Sequence, residues 1–157
     1  MDAERLAKKL NLTTPRHALV LAAPEAFAPM LAYLRDGLGS EVDTTARHDA
    51  YDYVHVFVEE AAQAPDLLRG AIDALAQDGI LWASYPKKAS KRYASDVARD
   101  SDAWAPLYQR DFEPVRQVSV DEDWSALRFR PVDAIRSFTR GFARSEAGKR
   151  RSGDEPR

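Results

Sequence analysis

The sequence predicts an α/β fold of three layers: a mostly parallel sheet of about six strands, helices on both faces, and an antiparallel hairpin near its C-terminal end. Three observations predict it. Apolar runs too short for helices, HALVLAA (17–23), DYVHVFVE (52–59) and GILWASYP (79–86), alternate with stretches of helical periodicity. Strands joined through helices normally form right-handed parallel crossovers. Finally, PVRQVSV (114–120) and WSALRFRP (124–131) flank the acidic turn Asp121-Glu122-Asp123, which makes those two runs antiparallel neighbours.

Taken in order, Ala3, Leu6, Ala7 and Leu10 form one apolar stripe on a short helix whose Lys8 and Lys9 face solvent. Pro15 and Pro24 bound the first strand, residues 17–23. Phe27, Met30, Leu31 and Leu34 have helical spacing, Pro29 suits the first turn, and Gly37 and Gly39 end the helix. SEVDTTA (40–46) alternates weakly and is expected at an edge of the sheet, whereas Tyr53, Val54, Val56, Phe57 and Val58 mark a central strand. Ala64, Leu67, Leu68, Ala71, Ile72 and Leu75 share the next helical face, and Asp78-Gly79 is expected to close that helix before a buried strand begins. Residues 95–110 read as one or two short helices, interrupted near Asp100, Ser101 and Asp102. A last amphipathic stretch carries Ile135, Phe138 and Phe142. We therefore expect a single domain over 1–145 and a flexible basic and polar tail over 146–157.

At 157 residues, with 45% apolar and 31% charged content, the chain has the composition of an ordinary soluble globular domain. Its net charge of -2 argues against a wholesale grip on nucleic acid or anionic lipid, so any such contact must be local. The absence of cysteine excludes a disulfide framework, a thiol nucleophile and cysteine-bound zinc. The opening MDAERLAKKL has no apolar leader core, and no apolar run approaches the roughly 20 residues that span a bilayer. A cytoplasmic location is the expectation, with no membrane partner.

The order of elements resembles a trimmed methyltransferase-like Rossmann fold over about residues 15–131. That resemblance implies the sheet order 2-1-3-4-6-5 with the sixth strand antiparallel. LWASYPKKASKRYASDVARD (81–100) and RQVSVDEDWSALRFRP (116–131) look like two signature stretches of a family of small, functionally uncharacterised bacterial proteins. This second resemblance implies a fold and no reaction.

A cofactor site of the usual kind needs glycines after the first strand and an acid ending the second. Here the first strand runs into Ala22, Ala23, Pro24 and Glu25, with Asp43 as a lone candidate for the ribose acid. We therefore expect no S-adenosylmethionine or dinucleotide cofactor. His17, His48 and His55 lack the spacing of metal ligands, and Ser84, Ser90 and Ser125 lack a glycine-flanked nucleophile elbow, so neither a metal nor a catalytic residue is expected.

The candidate site lies where the strand after Gly79 empties into Pro86, Lys87, Lys88, Lys91 and Arg92, because ligands of open α/β sheets bind at the carboxyl ends of strands. Parallel strands would bring this loop against the Asp121-Glu122-Asp123 turn. In the functional reading Lys87, Lys88 and Lys91 hold an anionic ligand, Trp124 supplies a flat wall, Asp121 and Asp123 receive donors, and Ser90, Asp96 and Arg99 complete the rim. In the plainer reading the opposite charges only pin the loop to the hairpin.

Arg136, Arg140, Arg144, Lys149, Arg150 and Arg151 make a second basic feature, either a solvated face or a contact for RNA, DNA or an acidic partner. The function expected is thus a non-catalytic protein that binds a small anionic ligand or partner at the carboxyl edge. The alternatives are a degenerate S-adenosylmethionine-dependent transferase and an RNA- or protein-docking module.

Overall fold

The computed structural model describes residues 1–135; the basic stretch from Arg136 onward and the expected tail lie outside them. Six strands form one sheet in the order β2-β1-β3-β4-β6-β5. They are β1 His17–Leu21, β2 Glu41–Asp43, β3 Tyr51–Phe57, β4 Leu75–Pro86, β5 Phe112–Ser119 and β6 Trp124–Pro131. β1 pairs in parallel with β2 and β3, β3 with β4, and β6 runs antiparallel to both β4 and β5. The anticipated order and the reversed sixth strand are both present.

Strand alternation sends two sets of side chains to opposite faces. On one face Ala18, Val20, Tyr53, Phe57, Trp82 and Ala126 pack under helix α1 (Ala3–Lys9) and helix α2 (Ala28–Ala32). On the other, Leu19, Val54, Val56, Leu81, Ala83 and Leu127 meet helix α3 (Ala64–Ala74) and helix α4 (Ala105–Tyr108). Asp2 caps α1 by accepting from the Arg5 amide, and the indole Nε1 of Trp82 donates to the carbonyl of Leu10, docking the end of α1 on the sheet. Lys9 is not simply solvated: its Nζ donates to the Ser119 carbonyl at 2.6 Å. A reciprocal capping box between Glu60 and Gln63 leads into α3, with Pro65 in its first turn where a missing N–H costs nothing.

The boundary expected at Asp78-Gly79 falls elsewhere. α3 ends at Ala74, β4 begins at Leu75, and the Asp-Gly pair forms an irregularity inside the strand. Tyr51 pairs with Leu75 and Tyr53 with Ile80, two steps on β3 against five on β4. Asp78 takes φ 65°, and a side chain at Gly79 would stand 3.0 Å from the Tyr51 carbonyl oxygen. The pair therefore serves close backbone approach between strands.

Candidate functional site

β4 and β6 end and begin at the same edge, with Pro86 opposite Trp124, so the lysine loop and the acidic turn are neighbours. Their contact is made through backbone groups and hydroxyls rather than by pairing of opposite charges. The Lys87 amide donates to the Asp123 carbonyl at 2.7 Å, the Ser90 hydroxyl to Asp123 Oδ1 at 2.8 Å, and Lys87 Nζ to the Ser119 hydroxyl at 2.6 Å. Asp121 Oδ1 faces inward on its own turn and accepts the amides of Asp123 and Trp124, each at 2.8 Å. An aspartate that closes the turn explains why this hairpin needs no glycine. Neither the lysine loop nor the acidic turn takes part in the ion pairs of the described residues, which join His17 to Glu41, His48 to Asp43, Arg69 to Asp66 and Arg110 to Asp73.

The proposed residues divide between two depressions. Lys87, Lys88, Asp96 and Arg99 line a cleft of about 860 Å³, whose wall is completed by Tyr85, Tyr93, Gln117 and Ser125. Ser90, Lys91 and Asp123 line a second of about 370 Å³, together with Arg92 and Glu122. Asp121 is in neither lining. Trp124 is only 2% exposed and packs in the core beneath α2, where its ring meets Phe57 at 5.3 Å. Tyr93 lies against it at 5.0 Å. The aromatic wall expected of Trp124 is thus supplied by Tyr85 and Tyr93, because the parity of β6 turns Trp124 to the face that α1 and α2 cover.

Within the larger cleft Asp96 is committed: its Oδ1 accepts the Ala61 amide at 2.8 Å, tying this loop to the turn before α3. Gln117 Nε2 donates to the Tyr85 hydroxyl at 3.1 Å. Burial pushes the Tyr85 phenol above its ordinary range while the charge of Arg99 acts against that, and the ring stays neutral at physiological pH. The cleft therefore combines three cationic residues, Lys87, Lys88 and Arg99, the first of them bonded to Ser119, with neutral hydroxyl and amide groups. Tyr85, Tyr93, Gln117 and Ser125 were not among the expected site residues; the available signal was the position of Tyr85, Gln117 and Ser125 near the ends of β4 and β5 and at the start of β6, with Tyr93 in the loop after β4.

A different polar chain crosses the sheet interior. His55 is fully buried, with Nδ1 2.8 Å from the Tyr53 hydroxyl and Nε2 2.6 Å from the Ser84 hydroxyl. Either neutral tautomer satisfies both contacts, one nitrogen donating and the other accepting. Its ring stacks on Phe57 at 4.5 Å and meets Phe27 edge-on. Burial drives the imidazole pKa down to about 3. Ser84 and His55 have the pairing of a nucleophile and its base, but both are sealed from solvent and cannot meet a substrate.

The fold can be compared with known structures. A candidate type 11 methyltransferase from Sulfolobus solfataricus superposes with a TM-score of 0.51 at 8% identity, over 83% of this chain and 92% of that one. The DhpI–SAH complex is similar at a TM-score of 0.47 and 14% identity, over 83% and 85% of the two chains. No family model and no curated protein matches the sequence. The fold is methyltransferase-like. At such identities the likeness extends to the fold alone.

The residues do not fit S-adenosylmethionine in its usual pose. Pro24 and Glu25 follow β1 where close backbone approach calls for glycine, and Pro24 caps a short 3₁₀ turn, Glu25–Phe27. Asp43 ends β2 opposite Leu19, two residues short of the end of β1, and its Oδ2 accepts the Tyr51 hydroxyl at 2.6 Å.

Proposed function

We propose that this chain is a non-catalytic binding protein whose ligand is a small anion bearing a carboxylate or phosphate, held in the cleft at the carboxyl edge of the sheet, where β4 ends and β6 begins. One observation carries the reading: Lys88 and Arg99 line that cleft while its carboxylate, Asp96, is engaged by a backbone amide. An anion entering between them would find a planar guanidinium, an ammonium and the hydroxyls of Tyr85 and Ser125, with Tyr93 as an apolar wall. Lys87 has a different role, since its bond to Ser119 holds the loop against the hairpin.

Calorimetric titration with inorganic phosphate and with citrate tests this. Saturable binding is expected, weakened about tenfold or more by Lys88→Glu and by Arg99→Glu, which is a loss of about 1.4 kcal/mol each. Binding that is absent, or undiminished in both variants, overturns the proposal.

A degenerate S-adenosylmethionine-dependent transferase is the second reading, favoured by Ala22, whose φ of 58° keeps a left-handed turn directly after β1. Against it stand Pro24, Glu25 and the committed Asp43. Titration with S-adenosylmethionine is expected to show no appreciable binding; a micromolar dissociation constant would replace the first reading with this one. Contact with RNA or protein through Arg136, Arg140 and Arg144 falls on residues outside those described.

A further inference from the structure

We infer that His17, Glu41 and His48 form a binding site for a divalent transition metal of the zinc class at the amino edge of the sheet, opposite the anion cleft. The three residues come from separate segments: His17 opens β1, Glu41 opens β2, and His48 stands in the loop before β3. Their ligand atoms all lie within 4.8 Å of one another. A tetrahedral zinc with bonds of about 2.0–2.2 Å needs donors about 3.4 Å apart; Glu41 and His48 are exposed enough to reach that spacing by side-chain rotation, Glu41 opening its 2.7 Å contact with His17 to admit the ion.

Two features separate this cluster from a chance meeting of surface groups. The first is at His17, whose Nδ1 is screened from water and makes no aligned hydrogen bond, although Glu41 Oε2 lies only 2.7 Å away. A screened ring nitrogen facing a carboxylate without a proper bond is a donor lacking its natural partner. A metal that enters as the Glu41 carboxylate swings outward would supply it.

The second feature is the support behind the donors. Asp52 accepts the amides of Arg16 and His17 at 2.9 and 3.1 Å, which fixes the backbone from which His17 projects. The Tyr51 hydroxyl accepts the Arg47 amide at 2.8 Å and donates to Asp43, so the residue before His48 is pinned to β3. The His48 ring packs on Tyr51 at 5.6 Å and on His17 at 5.1 Å, with its Nε2 3.8 Å from Asp43 Oδ2. Supporting contacts of this kind orient first ligands in metal sites. Two imidazoles and one carboxylate suit zinc rather than magnesium or calcium, and leave a fourth position for water or Asp43.

Titration of the untagged chain with ZnCl₂, read by calorimetry and by melting temperature, tests the inference. One equivalent is expected to bind with micromolar or tighter affinity and to raise the melting temperature by mass action. MgCl₂ should have no such effect. His48→Ala, on an exposed loop, is expected to lower zinc affinity at least tenfold, and His17→Gln with His48→Ala to abolish the stoichiometric event. Phosphate titration and a far-ultraviolet spectrum verify that the variants remain folded. Absence of stoichiometric zinc binding in the parent chain, or its survival in the double variant, overturns the site.

Discussion

His55, within β3, and the pair His17–His48, at the start of β1 and in the loop before β3, do opposite things. His55 lies in mid-sheet with both nitrogens engaged, and burial holds it neutral down to about pH 3. His17 and His48 lie at the amino edge beside Glu41 and Asp43, partly exposed, with a screened nitrogen that has no aligned partner. Interior polar groups are costly to leave unpaired, so the sheet closes them among themselves. Edge polar groups can be left incomplete, because water or a ligand can finish them. At the carboxyl edge Lys87 bonds the Ser119 hydroxyl and Asp121 closes its own turn, while Lys88 and Arg99 line the cleft.

The sharpest way to break this contrast is truncation. His55→Ala would leave the Tyr53 and Ser84 hydroxyls buried without partners and open a cavity beside Phe27 and Phe57, costing about 3 kcal/mol or more. His48→Ala should change stability in the absence of metal by less than about 0.5 kcal/mol. Urea unfolding of the two variants measures both, and comparable losses would erase the distinction between interior and edge.

Acid sharpens it next. Because His55 has a folded pKa of about 3 against an unfolded 6.5, its neutral form contributes stability fully present above pH 6.5. As pH falls toward 3 the unfolded chain takes up a proton that the folded chain refuses, and stability declines by up to about 1.4 kcal/mol per pH unit. Gln at position 55 can still donate and accept a hydrogen bond but does not titrate. The difference between the parent and His55→Gln should therefore shrink as pH drops from 7 to 4. Parallel curves would mean that His55 takes up its proton in the folded chain at the same pH as in the unfolded one.

These contrasts also mark where the chain could be read in advance. The strands were legible because their apolar runs must be buried on both faces of a parallel sheet, and the acidic turn was legible because two alternating runs flanked it. Asp78-Gly79 has the form of a helix stop, yet the same pair serves a strand irregularity when a neighbouring carbonyl comes close. Trp124 was assigned to the wrong face because adjacency to a loop does not reveal which side of a hairpin the N-terminal helices cover. The meeting of His17 with His48 shows in no local spacing. It follows only from topology, which returns the start of β1 and the loop before β3 to one edge.

The smallest expected effect lies at the lysine loop. If charge attraction held the loop to the hairpin, Lys87 would couple to Asp121; the geometry instead gives Lys87 Nζ to the Ser119 hydroxyl, with Asp121 occupied by the Asp123 and Trp124 amides. A double-mutant cycle of Lys87→Met with Ser119→Ala should yield a coupling of about 0.2–1 kcal/mol, as befits an exposed contact. A cycle of Lys87→Met with Asp121→Asn should yield less, since the amide oxygen of asparagine can keep the turn's hydrogen bonds while its charge is removed. Urea unfolding at low salt keeps any charge component visible against screening. Stronger coupling to Asp121 than to Ser119 would make the loop an ion-paired clasp; the expected order makes it a hydrogen-bonded one, fastened through the Ser119 hydroxyl.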